Sequence, residues 1–323
     1  MGRNSATTAR DYRCMTNIEE LRSLLLTTDQ LLGRGLSSQG LTRSVASGEL
    51  IRLRPGFYVD GAARELHRDA RHLLSVLATD AALDSPVFSH SSAALIHGLP
   101  HWGLSLRKVS LTEQGEISRS RVSNRARIHI RPLSQNEVTS IDGLLVTSAE
   151  RTVTDLAMSV RRDAAVVAAD AALAGELVTT DSLDRALEQM AGRSGIKQAR
   201  KSIELADGDS ESVAETRSRL TFADFGLPEP ELQADIYDED GNWVARVDFL
   251  WRESGLIGEC DGFGKYFDGV DMAETRRRLA REKDRDAALV ALGYTVFHWR
   301  WNDLENPRFL AERIRKLLRA AAA

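Results

Sequence analysis

The stretch VDFLWRESGLIGECDGFGKY at residues 247–266 decides how the C-terminal part of this 323-residue chain folds. Polar and apolar residues alternate on both sides of RESG, as in two strands joined by a tight turn. Counting outward from that turn, Trp251 pairs with Leu256, and the same register sets Asp248 opposite Glu259. Directly opposed carboxylates destabilise a sheet unless something positive lies between them. The hairpin therefore predicts a cation site.

A divalent, oxygen-preferring ion suits this arrangement, with Mg²⁺ as the natural candidate and Mn²⁺ as the alternative. Asp261 shares the face of Glu259, so Asp248, Glu259 and Asp261 are the predicted metal ligands. Carboxylate-held metal supports phosphodiester hydrolysis, in which a lysine commonly positions the water or neutralises charge. Lys265 and Lys283 are the candidates for that lysine. The alternative is an edge hairpin whose acids face solvent.

Lys283 belongs to a predicted helix, AETRRRLAREKDRDAALVALG, on which it aligns with Leu279 and Ala287 and is therefore expected to point along the apolar stripe. The same helix presents Arg277, Arg281 and Arg285 for contact with a phosphate backbone. A helix around Glu215 precedes the hairpin. A strand, YTVFHWRW, and a final helix follow it.

The order α-β-β-β-α-β, with the pieces AETRSRL, GLPEPELQ, RVDFLW, ECDGFGKY, EKDRDAALVALGY and HWRWNDL, resembles the PD-(D/E)XK nuclease superfamily. More closely, it resembles the bacterial branch related to very-short-patch-repair endonucleases. The resemblance implies a restriction-endonuclease-like α/β domain with a central mixed sheet at 210–323. It implies Glu215 as the acid of the first helix and Asp248 and Glu259 as the core acids. Asp261 stands where the superfamily motif has lysine, so activity would require Lys265 or Lys283.

Residues 16–60 read as three helices followed by a short hairpin, LIRLRPGFYV, which is the order of a winged helix-turn-helix. The third helix, SSQGLTRSVASGE, would enter the major groove. Gln39, Arg43 and Ser44 would then face the bases, while Arg52 and Arg54 would contact phosphates. The alternative is a small helical protein-interaction domain.

The run GLSSQGLTRSVASGELIRLRPGFYV resembles the N-terminal domain of AbiEi-type antitoxins, which are the repressor halves of bacterial abortive-infection toxin–antitoxin pairs. A second piece, VTSAERTVTDLA, resembles the middle region of longer AbiEi-like proteins. The resemblance implies DNA binding, promoter autoregulation and a cognate toxin protein as a partner.

Together these patterns predict an α+β multidomain protein with a disordered extension (1–15), a winged helix-turn-helix (16–60), a mixed α/β middle region (61–206) and the nuclease-like domain (210–323). His90, His97 and His101 in the middle region lack the cysteine or carboxylate that would complete a metal site, which favours structural roles. The net charge is −4, but residues 107–131 hold seven Lys/Arg against two Glu. Two cysteines and no long apolar run favour the cytoplasm and exclude a membrane protein.

The leading functional hypothesis is a DNA-binding protein whose C-terminal domain cuts DNA using Mg²⁺. The alternative is a non-enzymatic AbiEi-like repressor with a degenerate nuclease fold. A toxin-neutralising module without DNA contact is the third hypothesis. DNA is the predicted partner, and the sequence leaves monomer and homodimer open.

Overall fold

The computed structural model describes residues 17–115, 119–261 and 272–321. The chain forms two compact units, Met1–Gly208 and Asp209–Ala323. Both units mix helices with sheet, as the predicted α+β class requires. Within the described ranges, no helix combines the length and the apolar character needed to cross a membrane. The predicted N-terminal extension lies outside the described residues.

The first unit begins with three helices and a three-stranded antiparallel sheet of order β1-β3-β2. A capping box at Thr27 and Gln30 starts the second helix. Ser37 caps the third helix through the Gly40 amide. The bounds are α1 Ile18–Ser23, β1 Leu26–Thr27, α2 Thr28–Gly33, α3 Ser38–Ser47, β2 Leu50–Arg54 and β3 Phe57–Asp60.

These N-terminal elements share a hydrophobic core with the elements that follow. Leu31, Leu41, Leu50 and Tyr58 form a small cluster among α2, α3 and the hairpin. A second cluster joins Ile18, Leu21, Val59 and Ala63 to the next helix and to the large sheet. Because the second cluster includes residues from both groups of elements, residues 17–60 pack as part of the first unit.

The large sheet of the first unit has six strands in the order β6-β7-β5-β4-β9-β8. Its parallel pairs are β5 with β7 and β4 with β9, and the other neighbours are antiparallel. The bounds are α4 Arg68–Asp80, β4 Val87–Phe88, α5 His90–Ile96, β5 Val109–Gln114, β6 Arg119–Val122, β7 Ala126–Arg131, β8 Val138–Ile141 and β9 Leu144–Thr147.

Four helices complete the first unit and pack through small residues. Ala164, Ala165, Ala168 and Ala172 are almost fully buried, which lets neighbouring helices approach closely. His97, just after α5, bonds the Thr147 carbonyl through Nε2 at 2.8 Å. The bounds are α6 Ala149–Ser159, α7 Arg162–Ala174, α8 Thr180–Gln189 and α9 Ile196–Ile203.

The second unit holds a four-stranded sheet of order β10-β11-β12-β13, antiparallel except for the parallel pair β12–β13. The predicted order of helix, three strands, helix, strand and helix is confirmed. The bounds are α10 Val213–Asp224, β10 Glu231–Tyr237, β11 Trp243–Trp251, β12 Leu256–Asp261, α11 Met272–Ala291, β13 Thr295–Arg300 and α12 Pro307–Ala321.

The predicted register of the deciding hairpin is also confirmed, since Trp251 pairs with Leu256 and Phe249 with Gly258. An aromatic core of Phe222, Phe249, Trp251 and Trp299 packs with ring centroids 5.1–6.5 Å apart. A side chain at Gly258 would meet the Trp299 ring at 2.6 Å, so only glycine fits beneath it. Leu250 and Ile257 pack instead with Leu289 of α11.

Candidate functional site

Six carboxylates of the second unit, here called the acid cluster, gather where the deciding hairpin meets α10, α11 and β13. Shared neighbours connect its members: Asp248 acts on Glu215, both of these and Asp261 act on Cys260, and Glu259, Asp261 and Asp286 act on His298. Glu282 lies beside Asp261 and His298. The acid cluster consists of Glu215, Asp248, Glu259, Asp261, Glu282 and Asp286.

The observed strand pairing stops one pair short of the predicted opposition of Asp248 and Glu259. The ladder runs from Trp251–Leu256 to Phe249–Gly258, and its next pair would be Asp248–Glu259. The Asp248 carboxylate interrupts the ladder there, because its Oδ2 accepts the Cys260 amide at 2.8 Å. Glu259 is only 7% exposed and faces Arg285, whose Nη2 lies 3.4 Å from Oε1. The alternative of solvent-facing acids is therefore wrong for Glu259.

Glu215 reaches the acid cluster from the first turn of α10. Its Oε1 accepts the Ser212 hydroxyl at 2.7 Å, and its Oε2 accepts the Glu211 amide and the Gln233 side-chain amide, both at 2.9 Å. Burial and the neighbouring Asp248 charge nevertheless raise the pKa of Glu215 to about 7. A carboxyl group whose pKa lies near 7 and that faces a second acid is typical of functional sites.

Gln233 is a candidate that the sequence patterns missed. It stands in β10 between the pairs Leu232–Phe249 and Ala234–Val247, which is opposite Asp248. Its φ of +48° is rare for a side-chain-bearing residue and strained in a strand. This backbone conformation accompanies side-chain bonds to both Glu215 and Arg246, so Gln233 holds the Glu215 carboxylate in place.

His298 of β13 contributes a positive charge to the acid cluster. Its Nε2 lies 3.0 Å from Asp286 Oδ2, and its Nδ1 lies 3.7 Å from Asp261 Oδ1. The Asp261 carboxylate, together with the charges of Asp286 and Glu259, raises the pKa of His298 to about 9. At neutral pH the imidazole therefore carries a proton and balances part of the negative charge.

The donor set of the acid cluster suits a hard divalent cation, since it is built from carboxylate oxygens and Glu215 is destabilised in its charged form. Asp261 and Glu282 bring carboxylate oxygens to within 4.8 Å of each other and of a ring nitrogen of His298, which would have to lose its proton to bind a metal. Sequence patterns had grouped Asp261 with Asp248 and Glu259 and had missed Glu282 and His298. Neither shows a local signal, because each comes from an element distant along the chain.

The predicted basic residues of α11 divide into two groups. Arg277 and Arg281 are exposed, whereas Arg285 turns towards Glu259 and Asp286. Lys283 is exposed, so the expectation that it points along the apolar stripe is wrong. The inward positions of this helix are instead Glu282, Arg285, Asp286 and Leu289, spaced by three and four residues. Lys265 lies outside the described residues.

The Glu215 pKa predicts a pH-dependent stability. Because the folded value of about 7 exceeds the usual 4.5, the protonated acid contributes stability that is fully present below pH 4.5 and lost as the pH rises through 7. Between these pH values, the unfolding free energy of Glu215→Gln should therefore fall by about 3 kcal/mol less than that of the wild type. Urea unfolding is followed by tryptophan fluorescence, since four of the five tryptophans lie in the second unit.

The exposed Glu229→Gln variant is the matched control and should retain the wild-type pH profile. If Glu215→Gln also retained it, the carboxyl would not be the group that titrates.

In the first unit, the residues predicted to contact DNA differ in their surroundings. Gln39 and Arg43 of α3 and Arg52 of β2 are exposed. Ser44 is half-buried, and its hydroxyl donates to Glu49 Oε2 at 2.9 Å. Arg54 is half-buried beside Arg125, and burial followed by the Arg125 charge lowers the pKa of Arg54.

The match to a protein-family model lies within the first unit. Residues 88–205 match the model of the AbiEi antitoxin C-terminal domain. Two Mycobacterium tuberculosis proteins, from strains CDC 1551 and H37Rv and both named uncharacterized, are 33% identical over 179 residues. That match covers 55% of this chain and 63% of each relative, so the chain spans less than two thirds of their length. Through residues 88–205, this chain is similar to the C-terminal domain of AbiEi antitoxins.

Proposed function

We propose that the protein is a DNA-binding regulator of the AbiEi antitoxin type, whose first unit binds duplex DNA as a winged helix-turn-helix. Helix α3 would enter the major groove with Gln39 and Arg43 towards the bases. The β2–β3 hairpin would act as the wing, with Arg52 towards the phosphates. The similarity of residues 88–205 to an antitoxin domain supports this role.

The observation that carries the proposal is the pairing of Arg54 with Arg125. Arg125 Nε donates to the Leu53 carbonyl at 2.6 Å, which fixes its guanidinium beside the wing. Within the described residues, neither arginine forms an ion pair with a carboxylate. Two adjacent cations without an acid repel each other, and a phosphate between them removes that cost. The middle region thus extends the basic surface of the wing.

The double variant Arg54→Gln, Arg125→Gln should bind DNA at least about 10-fold more weakly in 0.1 M salt, with a salt-dependence slope reduced by about 2. Fluorescence anisotropy measures both quantities with a labelled duplex of the sequence upstream of the protein's own gene and with a scrambled duplex. The loss of affinity should be similar for both duplexes, because phosphate contacts carry no sequence information.

Arg185→Gln is the matched control, since Arg185 is an exposed arginine of α8 in the same unit. It should leave the affinity and the slope unchanged. The proposal fails if wild-type protein binds neither duplex, or if both variants weaken binding equally.

A cognate toxin protein is the second proposed partner, because residues 88–205 are similar to an antitoxin domain. Co-expression with the product of an adjacent nucleotidyltransferase-type gene, followed by affinity purification, tests this. Absence of such a gene, or of co-purification, would oppose the antitoxin role while leaving DNA binding intact.

The acid cluster favours a second function, metal-dependent phosphodiester hydrolysis by a PD-(D/E)XK-like second unit. The supporting observation is Glu215, held opposite Asp248 with its pKa raised to about 7. Asp248 and Glu259 would bind Mg²⁺, and Glu215 would orient a water or a ligand of the ion. When bound, the ion would activate water and stabilise the leaving oxygen. His298 and Arg285 are the described cations able to replace the motif lysine.

Incubation of purified protein with plasmid DNA and Mg²⁺ or Mn²⁺ tests this second function. Nicked or linear products that disappear on addition of a chelator would support it. Intact plasmid under all conditions would leave the second unit as a non-catalytic module, in agreement with Asp261 at the position of the superfamily lysine.

A further inference from the structure

Strand β7 of the first unit presents a polar face that neither DNA binding nor the acid cluster uses. Alternation along the strand places Arg127, His129 and Arg131 on one face and Ile128 and Ile130 on the other. Only the isoleucines pack towards the hydrophobic interior, where Ile130 is 7% exposed. The register of the adjacent strand adds Ser120 to the polar face, opposite His129.

This face lines a cavity of about 300 Å³ between β6, β7, α6 and the start of α5. That volume lies at the lower end of the range for sites that bind small molecules. His90 of α5 stacks directly on His129 in the lining of the cavity, with ring centroids 3.6 Å apart. His90 adopts φ +50°, a strained conformation for a histidine.

Several polar atoms at the cavity are buried without a hydrogen-bond partner among the described residues. Asp155 of α6 is fully buried, and while its Oδ2 accepts from Arg151 Nε at 2.9 Å, its Oδ1 has no partner. His129 Nε2 and Arg131 Nε are likewise unpaired. Buried polar atoms are almost always satisfied, so this set points to a ligand that supplies both acceptors and a donor.

The field in the cavity is positive. Burial, followed by the charges of Arg151, Arg131 and Arg127, lowers the pKa of His90 to about 3. Burial and His90 lower the pKa of His129 to a similar value, against the opposing effect of Asp155. Both imidazoles are therefore neutral at pH 7, and arginines outnumber acids around them. Positive charge favours an anion, while Asp155 Oδ1 requires a donor on the same molecule.

We propose that this cavity binds a small phosphorylated molecule of about nucleotide size. Its phosphate would lie between the Arg127 and Arg131 guanidinium groups, where His129 Nε2 can donate to it. A hydroxyl or amino group on the rest of the molecule would donate to Asp155 Oδ1. The site lies in the part of the chain that is similar to the antitoxin domain, so such a ligand would act as an effector of the first unit.

Isothermal titration calorimetry with the full-length protein tests the proposal. The probes are the four nucleoside 5′-monophosphates, the corresponding nucleosides and inorganic phosphate. We expect at least one monophosphate to bind one to one, its nucleoside to bind at least about 10-fold more weakly, and inorganic phosphate to bind more weakly than the monophosphate. Imidazole NMR signals of His129 and His90 should shift only with ligands that bind.

Arg127→Gln and Arg131→Gln should each weaken that binding by about 10-fold or more, as expected for loss of a charge-assisted contact. Arg119→Gln is the matched control, because Arg119 pairs with Ile130 and belongs to the other face of the hairpin. Its affinity should change less than about 2-fold. Arg127 is exposed, so its variant should fold normally. No binding by any probe at millimolar concentration, or equal losses in Arg119→Gln and Arg127→Gln, would overturn the proposal.

Discussion

Asp248→Asn is expected to reduce the Mg²⁺-dependent DNA cleavage proposed for the second unit by about 100-fold or more, the scale of losing one electrostatic contact to a reacting group. Asparagine keeps the oxygen that accepts the Cys260 amide, so the backbone of β12 stays in place. What the variant loses is the negative charge opposite Glu259. Initial rates of plasmid nicking, measured over a range of Mg²⁺ concentrations, give the effect.

Asp235→Asn is the matched control, since Asp235 is an exposed acid on the neighbouring strand β10. Its oxygen accepts from Trp243 Nε1 at 2.8 Å, a bond that asparagine can also accept. Equal rates for wild type and Asp235→Asn, with a large loss in Asp248→Asn, would assign cleavage to the acid cluster. If Asp248→Asn cleaved as fast as wild type, a contaminating nuclease or another site would be responsible.

Asp248→Asn should also lower the pKa of Glu215, because it removes the neighbouring charge that raises this pKa. This second measurement separates two failures. If the pKa of Glu215 falls in Asp248→Asn but the wild-type protein cleaves no DNA, the geometry of the acid cluster is present but not catalytic.

Arg151→Leu is expected to lower the free energy of unfolding of the first unit by about 3–5 kcal/mol, the usual cost of breaking a buried ion pair. Arg151 is 1% exposed and Asp155 is fully buried. The guanidinium also bonds Glu137 Oε1 at 2.7 Å and the Pro132 carbonyl at 3.2 Å. Its removal leaves the Glu137 and Asp155 carboxylates without the ion pairs that they form with this guanidinium. Urea unfolding followed by hydrogen exchange in α6 reports on this unit.

A double-mutant cycle tests whether the cost comes from the uncompensated acid. Arg151→Leu with Asp155→Leu should cost less than the sum of the single variants, because the double variant leaves no buried charge at Asp155. Arg200→Leu, an exposed arginine of α9, should change the stability by less than about 0.5 kcal/mol. Strict additivity of the Arg151 and Asp155 variants would contradict this account.

Local sequence patterns predicted the elements better than they predicted the contacts between them. The alternation around RESG gave the pairing of Trp251 with Leu256, because the turn and the period of a strand together fix a register. The helix at 272–291 was also predicted, but the orientation of Lys283 was not. Its apolar stripe was read from Leu279, Lys283 and Ala287, whereas the sheet packs against the face of Leu289 and Asp286.

Strand β1 was missed for a related reason. It has only two residues, Leu26 and Thr27, and it is a strand because it pairs with Phe57 and Tyr58 of β3. A segment this short carries no periodicity of its own. Its conformation depends on a partner some 30 positions away, as its pairing shows.

By itself, the amino-acid sequence determined the order of the elements, the hairpin register that pairs Trp251 with Leu256, and the basic character of the α3 and wing region. Tertiary structure decided which distant groups join them: Gln233 and Glu215 beside Asp248, His298 beside Asp261, Arg125 beside Arg54, and His90 stacked on His129. The physical reason is the separation along the chain over which each effect acts. Turn chemistry and periodicity act between near neighbours along the chain, whereas burial and charge act between residues that only the folded chain brings together.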